Sequence, residues 1–156
     1  MVKQAYLIFS KVPTAGFSKT RLSPAYSPQV AAEIQAVLLR RLLTAALRLP
    51  ATQVFLAYRA ANATASTAFL AQLPAAVTAF PQVKASLGTA MAVALQQVRQ
   101  QGYQQVVLTG SDIPGLTTAI LQQAFDQLTA HSVVLGPSPD GGYYLIWSRQ
   151  LDLTPI

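Results

Sequence analysis

The fold of this chain is decided by the stretch VVLTGSDIPGL, residues 106–116. An apolar run ends abruptly at Gly110, and the small, turn-forming residues after it carry the carboxylate of Asp112. The pattern returns in residues 133–147, VVLGPSPDGGYYLIW, where Asp140 stands in the turn. In an open α/β sheet the strands are rigid, and the loops at their carboxyl ends hold the ligand. We therefore predict that the functional site lies in these two loops.

The rest of the chain alternates apolar, strand-like runs with helical segments. The predicted strands cover residues 5–9, 54–58, 76–80, 105–109, 133–135 and 143–148. Alternation of strand and helix over the first five is typical of a mostly parallel sheet with helices on both faces. We therefore predict an α/β fold, a Rossmann-like three-layer α/β/α sandwich with a mostly parallel central sheet. A length of 156 residues is consistent with a single domain over residues 1–156.

The first helix is predicted to begin at Ser27 and Pro28, because serine is a good N-cap and proline is favoured in the first turn. Helical spacing of apolar residues predicts the stripe that this helix buries. Its members are Val30, Ile34, Val37, Leu38, Leu42 and Ala45.

The composition narrows the class of protein. Hydrophobic residues make up 52% of the chain, which excludes a disordered protein, and the apolar runs are too short to cross a membrane. The chain has no cysteine and enters a strand-like run near its N-terminus, so we expect a cytoplasmic protein without disulfides or a signal peptide. The net charge of +6 indicates an anionic partner, but the basic residues do not form the stripe of a nucleic-acid binder. We expect neither a nucleic acid nor a membrane as partner.

A long loop, SKVPTAGFSKTRLSP, follows the first predicted strand at residues 10–24. It contains Gly16 and three cations, Lys11, Lys19 and Arg21. Such cations can bind phosphates, arginine through a bidentate contact and lysine as a point charge. The loop is not a Walker P-loop, because Ser18 stands where that motif needs a glycine. On the residues alone, a solvated basic loop explains the pattern equally well.

The neighbouring residues favour different roles for Asp112 and Asp140. Asp112 can bind Mg²⁺ or Mn²⁺, which proteins usually hold through one or two carboxylates together with substrate phosphates. The alternative for Asp112 is a side chain that caps the following turn, and the surrounding pattern favours the metal ligand. For Asp140 ordinary Asp-Gly turn chemistry is the simpler interpretation, although the glycines that follow would let a backbone approach a ligand closely.

Several other sites are disfavoured by the sequence. One histidine and no cysteine make zinc binding improbable. No G-x-G-x-x-G motif is present, which disfavours a dinucleotide cofactor. Ser111 is not a hydrolase nucleophile, because no G-x-S-x-G elbow surrounds it.

Three segments together resemble the DUF2064 family. They are residues 8–22, 110–116 and 134–146, which read IFSKVPTAGFSKTRL, GSDIPGL and VLGPSPDGGYYLI. Members of this family are described as glycosyltransferases of the nucleotide-diphospho-sugar transferase (GT-A) superfamily. The resemblance spans nearly the whole chain in the right order. A looser similarity extends to the molybdopterin and 2-phospholactate nucleotidyltransferases.

The resemblance implies a GT-A fold whose first loop receives the nucleotide. By this match the nucleotide and its phosphates would be contacted by Lys11, Gly16, Lys19, Thr20, Arg21 and Ser111. Asp112 would occupy the position of the carboxylate that binds Mg²⁺ or Mn²⁺. Asp140 would be a catalytic residue, and the acceptor side of the site would be lined by Gly141, Gly142 and Tyr143.

The chain departs from the family pattern at three places. Asp112 stands alone, without the second acidic residue of a full D-x-D motif. In residues 86–91, SLGTAM, only Leu87, Gly88 and Met91 fit the family pattern. The family also continues for several tens of residues beyond the position of Ile156, so we expect a domain that lacks the C-terminal segment of its relatives.

These observations lead to one functional hypothesis and two alternatives. The hypothesis is a metal-dependent glycosyltransferase that uses a nucleoside-diphosphate sugar and an unknown acceptor. The first alternative is a nucleotidyltransferase that acts on a nucleoside triphosphate. The second is a catalytically incomplete nucleotide-binding or interaction domain. Self-association into a homo-oligomer is a further expectation.

Overall fold

The computed structural model describes residues 3–17, 26–111, 113, 115–130, 133–137 and 143–148, with the backbone alone for residues 129–130, 133–137 and 143–148. The elements follow the chain in this order: β1 Gln4–Lys11, α1 Pro28–Ala46, β2 Thr52–Arg59, α2 Ala63–Gln72, β3 Val77–Pro81, α3 Leu87–Gln100, β4 Gln105–Gly110, α4 Thr118–Ala130, β5 Val133–Pro137 and β6 Tyr143–Ser148. Within the described part of the chain, no helix is both long and apolar enough to span a membrane.

The six strands form one sheet in the order β3-β2-β1-β4-β6-β5. The first four strands in the chain run parallel to one another, and β6 lies antiparallel between β4 and β5. The predicted α/β fold with a mostly parallel sheet is therefore confirmed. The strand order grows outward from β1 to β3 and then resumes on the other side of β1 with β4. The β1–β4 boundary is a topological switch point, where open α/β sheets bind ligands outside the carboxyl ends of the strands.

Helices cover both faces of the sheet, which confirms the three layers. Alternate side chains of a strand point to opposite faces. In β1, Tyr6 and Ile8 pack in a buried cluster with α1, α2 and α4, whereas Leu7 and Phe9 pack in a second cluster with α3. The central position of β1 explains why its run is apolar without alternation, since both of its faces are buried.

The start of α1 is as predicted from the sequence. The Ser27 hydroxyl accepts a hydrogen bond from the backbone N–H of Val30 at 3.2 Å, and Pro28 is the first helical residue. Proline costs little there, because the first N–H groups of a helix have no intrahelical partner.

The predicted buried stripe of α1 is wrong. The residues that α1 buries are Ala31, Gln35, Leu39, Leu42, Leu43 and Ala46, so only Leu42 was placed correctly. Val30 and Val37 are 39% and 40% exposed. Helix α1 carries two apolar stripes about one residue apart, and periodicity alone cannot tell which of them meets the sheet. Packing against the sheet selects the stripe that contains the polar residue Gln35.

Tyr6 joins the two central strands through its hydroxyl. The side chain is fully buried in β1, and its hydroxyl is hydrogen-bonded to the Thr109 hydroxyl of β4 at 2.5 Å. Burial raises the pKa of the Tyr6 hydroxyl above its ordinary value, and the Thr109 hydrogen bond opposes this only in part. The folded protein therefore keeps the phenol protonated at a pH where the unfolded chain ionises.

We expect Tyr6→Phe to change the alkaline stability of the protein. In the unfolded chain the phenol loses its proton near pH ~10, while the folded state keeps it. Above this pH the folded state binds more protons, so the Tyr6 contribution lowers the free energy of unfolding by up to about 1.4 kcal/mol per pH unit. The variant should lose this contribution, and the loss of one hydrogen bond should cost it about 1 kcal/mol near neutral pH. Urea unfolding of both proteins from neutral to strongly alkaline pH measures this, and identical pH dependences would contradict the prediction.

Candidate functional site

The ends of five strands meet at one edge of the sheet. In the parallel register Phe9 pairs with Gly110, so β1 and β4 end side by side. Strand β2 ends at this edge as well, because Lys11 pairs with Arg59. In the antiparallel part Pro137 pairs with Tyr143, so β5 ends and β6 begins here. The predicted site loops follow β1, follow β4 and join β5 to β6. The strand ends that border these loops therefore all lie at the same edge of the sheet, where the parallel strands have their carboxyl ends.

A buried glutamine joins the ends of β1 and β4. The Gln35 side chain of α1 is 3% exposed, and its Nε2 atom donates hydrogen bonds to the hydroxyls of Ser10 and Ser111, each at 2.9 Å. Ser10 and Ser111 are themselves 4% and 5% exposed. A buried amide is tolerated when its hydrogen bonds are satisfied. Gln35 therefore fixes the position of the chain directly before Lys11 and directly before Asp112.

Sequence reasoning missed Gln35. The spacing of the sequence could have revealed it, because Gln35 lies four residues after Ala31 and four before Leu39, on the same helical stripe. A polar residue on a stripe of buried apolar residues indicates a specific partner. The hydroxyl of Ser111, which was predicted to contact phosphate, faces Gln35 instead of open solvent. Its contact with phosphate stays a prediction.

Lys11, Phe17 and Arg59 form a compact cationic cluster at this edge. The Lys11 Nζ atom donates a hydrogen bond to the Phe17 carbonyl at 3.3 Å and lies 5.1 Å from the centroid of the Phe17 ring. The Arg59 Cζ atom lies 5.6 Å from the same centroid. Both distances are typical of cation–π contacts. Arg59 was not predicted as a site residue, because nothing in the sequence distinguishes it except its position at the end of β2.

Gly16 shapes the start of the first loop. The backbone N–H of Phe17 donates to the carbonyl of Thr14 at 3.1 Å, which closes a four-residue turn. Gly16 is the third residue of this turn and has a φ of +78°. A type II turn needs a positive φ at this position, and glycine adopts it without strain. The turn directs the Phe17 ring back over Lys11, and a phosphate contact from Gly16 itself stays a prediction.

Most of the predicted site lies outside the described residues. This is true of Lys19, Thr20, Arg21, Asp112, Asp140, Gly141 and Gly142. For Tyr143 the backbone is described, as the first residue of β6. Among the described residues, no group of three or more histidine, aspartate or glutamate side chains could hold a metal. The roles of these residues therefore stay predictions.

The fold of this chain is shared with a known class of proteins. The architecture is that of the nucleotide-diphospho-sugar transferases and cytidylyltransferases, which recur among the solved structures that superpose on this chain. The family model described as "Uncharacterized protein conserved in bacteria (DUF2064)" matches residues 42–154. The chain belongs to this family, as its motifs indicated. None of the curated proteins matches the chain in sequence.

Three solved structures illustrate the similarity. A protein of Desulfovibrio desulfuricans G20, provisionally named a nucleotide-diphospho-sugar transferase, is 33% identical, with a TM-score of 0.88 over 96% of this chain and 64% of that chain. Rv0371c of Mycobacterium tuberculosis H37Rv, in a complex with manganese, is 21% identical, with a TM-score of 0.56 over 96% of this chain and 73% of that chain. The 4-diphosphocytidyl-2C-methyl-D-erythritol synthase of Anaerococcus prevotii DSM 20548 is 8% identical, with a TM-score of 0.58 over 94% of this chain and 71% of that chain. The last two resemblances concern the fold alone.

Proposed function

We propose that this chain is a metal-dependent transferase that binds a nucleoside-diphosphate sugar and passes the sugar to an acceptor. The observation that carries the proposal is the position of Lys11. This cation ends the central strand at the switch point of a nucleotide-diphospho-sugar transferase fold, directly beside the end of β4. Ligands of open α/β sheets bind at such positions. The D. desulfuricans relative supports a nucleotide-sugar donor.

The cations of the first loop would hold the diphosphate of the donor. Lys11 is fixed by its contacts with Phe17, and Lys19 and Arg21 follow it in the same loop. Positive charges placed before the reaction stabilise negative charge that develops on a leaving group. The nucleoside diphosphate would be that leaving group. In this proposal Gly16, Thr20 and Ser111 belong to the same nucleotide-binding surface.

Asp112 would hold Mg²⁺ or Mn²⁺. It directly follows Ser111, whose position Gln35 fixes, and its carboxylate offers the oxygen ligand that these hard cations prefer. One carboxylate together with substrate phosphates is a common ligand set for Mg²⁺. A bound metal would neutralise charge on the diphosphate. The M. tuberculosis protein, which shares the fold, forms a complex with manganese, and this supports a divalent cation as the cofactor.

The acceptor would bind beside the start of β6. We propose Asp140 as the catalytic residue there, because an aspartate can accept the proton of an attacking hydroxyl. Gly141 and Gly142 would let the backbone approach the acceptor closely, and Tyr143 would complete this side of the site. A cytoplasmic location and self-association stay predictions.

A ligand panel tests the proposed function. Thermal unfolding is measured with nucleotides and nucleotide sugars, each with and without Mg²⁺ or Mn²⁺. A ligand that binds only the folded state, at about a hundred times its dissociation constant, should add about 2.7 kcal/mol of stability. We expect the largest stabilisation from one nucleoside-diphosphate sugar in the presence of metal.

The two alternatives predict other results in the same panel. A nucleotidyltransferase should prefer a nucleoside triphosphate. A catalytically incomplete domain should bind nucleotide without turnover, or should bind none of the ligands. Absence of stabilisation by every nucleotide sugar, in a protein shown to be folded, would refute the proposed donor.

A further inference from the structure

A cleft of about 550 Å³ opens at the carboxyl ends of β2 and β3, next to the cluster of Lys11, Phe17 and Arg59. Its walls come from the end of β2, the first turns of α2 and α3, and residues 82–85 between β3 and α3. The volume lies within the range of roughly 300 to 1,000 Å³ that is usual for small-molecule sites. The described residues that line this cleft include none of the predicted site residues.

The charge in the cleft is positive. Arg59 and Lys84 both line it, both are exposed, and no described residue of its lining is acidic. The two carboxylates of the described chain, Glu33 and Asp126, belong to α1 and α4 instead. Two cations without an acidic neighbour in the lining make a site that favours an anion.

Two polar residues of the cleft wall, Gln82 and Asn62, make hydrogen bonds that hold the wall together. Gln82 donates its backbone N–H to the Tyr58 carbonyl at 2.8 Å and its side-chain amide to the Ala57 carbonyl at 2.9 Å. The Asn62 Oδ1 atom accepts the backbone N–H of Ala65 at 2.8 Å and thereby caps α2. The wall is therefore built before any ligand arrives, which lowers the entropic cost of binding.

Arg59 is held in place by its neighbours. Its carbonyl accepts the backbone N–H of Val12 at 2.8 Å, and its guanidinium group packs on the Phe17 ring. A guanidinium packed on an aromatic ring keeps its N–H donors free for a bidentate contact with phosphate. Near the two cations, Val83 and Leu87 are 39% and 68% exposed. Small-molecule sites usually combine apolar lining of this kind with a few polar or charged groups.

We infer that this cleft binds a phosphate-bearing small molecule and that Arg59 and Lys84 contact its phosphate. The apolar side chains of Val83 and Leu87 would contact the part of the ligand that carries no charge. The phosphate could belong to the donor nucleotide or to a phosphorylated acceptor. The inference holds for either source and does not depend on which transfer reaction the chain catalyses.

The test uses pyrophosphate as the probe, without nucleotide or metal. Its dissociation constant is measured by isothermal titration calorimetry for the wild type, Arg59→Gln and Lys84→Gln. Loss of a charge-assisted contact should raise the dissociation constant by about tenfold in Arg59→Gln, and by several-fold in Lys84→Gln. Both side chains are exposed, so both variants should fold. Circular dichroism and thermal unfolding of each variant are used to check this.

Arg48→Gln is the matched control. Arg48 is exposed and follows the C-terminal end of α1, at the amino ends of the parallel strands and so opposite the cleft. Its replacement by glutamine removes one positive charge, as Arg59→Gln and Lys84→Gln do. Its dissociation constant should stay within about twofold of wild type, because surface charges at that distance are largely screened. The inference is overturned if wild type does not bind pyrophosphate, or if Arg59→Gln and Lys84→Gln both bind it as Arg48→Gln does.

Two further titrations identify the source of the phosphate. A larger loss in Arg59→Gln with a nucleoside diphosphate than with a sugar phosphate would assign the phosphate to the donor. A larger loss with the sugar phosphate would assign it to the acceptor. Either result supports the site. Because pyrophosphate binding is measured alone, it can succeed even if the ligand panel finds no nucleotide-sugar donor.

Discussion

Replacing Asp112 with alanine should remove the metal-dependent part of nucleotide binding. The proposed role of this carboxylate is to hold the divalent cation against the diphosphate. A metal that neutralises such charge contributes several kcal/mol, so the variant should lose roughly a hundredfold or more in any metal-dependent transfer rate. Binding that relies on Lys11 and the other cations alone should remain.

The measurement is nucleotide affinity with and without Mg²⁺ or Mn²⁺, made by calorimetry on wild type and Asp112→Ala. Asp126→Ala is the matched control, because it removes an exposed carboxylate of α4, whose Oδ1 atom accepts a hydrogen bond from the Gln122 side chain at 3.0 Å. The control should keep the full metal dependence. Asp112→Ala with the same metal dependence as wild type would remove the central element of the proposed function.

Gln35→Met should destabilise the fold by about 2 to 3 kcal/mol, because it removes two buried hydrogen bonds and leaves two serine hydroxyls buried without their amide donor. Methionine keeps the length of the side chain, so the loss should reflect the hydrogen bonds more than a cavity. The free energy of unfolding in urea measures it. Gln29→Met, at an exposed position of the same helix, should change stability by less than about 0.5 kcal/mol.

A second measurement separates a positioning role of Gln35 from a purely structural one. Gln35 fixes Ser10 and Ser111, which directly precede Lys11 and Asp112. In folded Gln35→Met at low temperature, we therefore expect weaker metal-dependent nucleotide binding, since both proposed ligand groups lose their support. Wild-type affinity in the folded variant would limit Gln35 to stability alone.

The sequence predicted those features whose causes are local. Ser27 caps α1 by accepting a hydrogen bond from an N–H three residues away, as its residue type predicted. The central strand was recognisable because burial on both faces requires an unbroken apolar run. The alternation of such runs with helices led to the α/β fold and the mostly parallel sheet. The motifs around residues 8–22, 110–116 and 134–146 led to the DUF2064 family.

The sequence by itself thus determined the fold class, the family and the start of α1, because these follow from patterns of residues close together in the chain. The tertiary structure alone decided the strand order, the face of α1 that is buried, and the partners of the site residues. Gln35 meets Ser10 and Ser111 across 25 and 76 positions of the chain. Lys11 and Arg59 contact one ring only because β1 and β2 pair in register. The periodicity of apolar residues does not predict such contacts. They form only when the strands pair and each helix packs one of its apolar faces against the sheet.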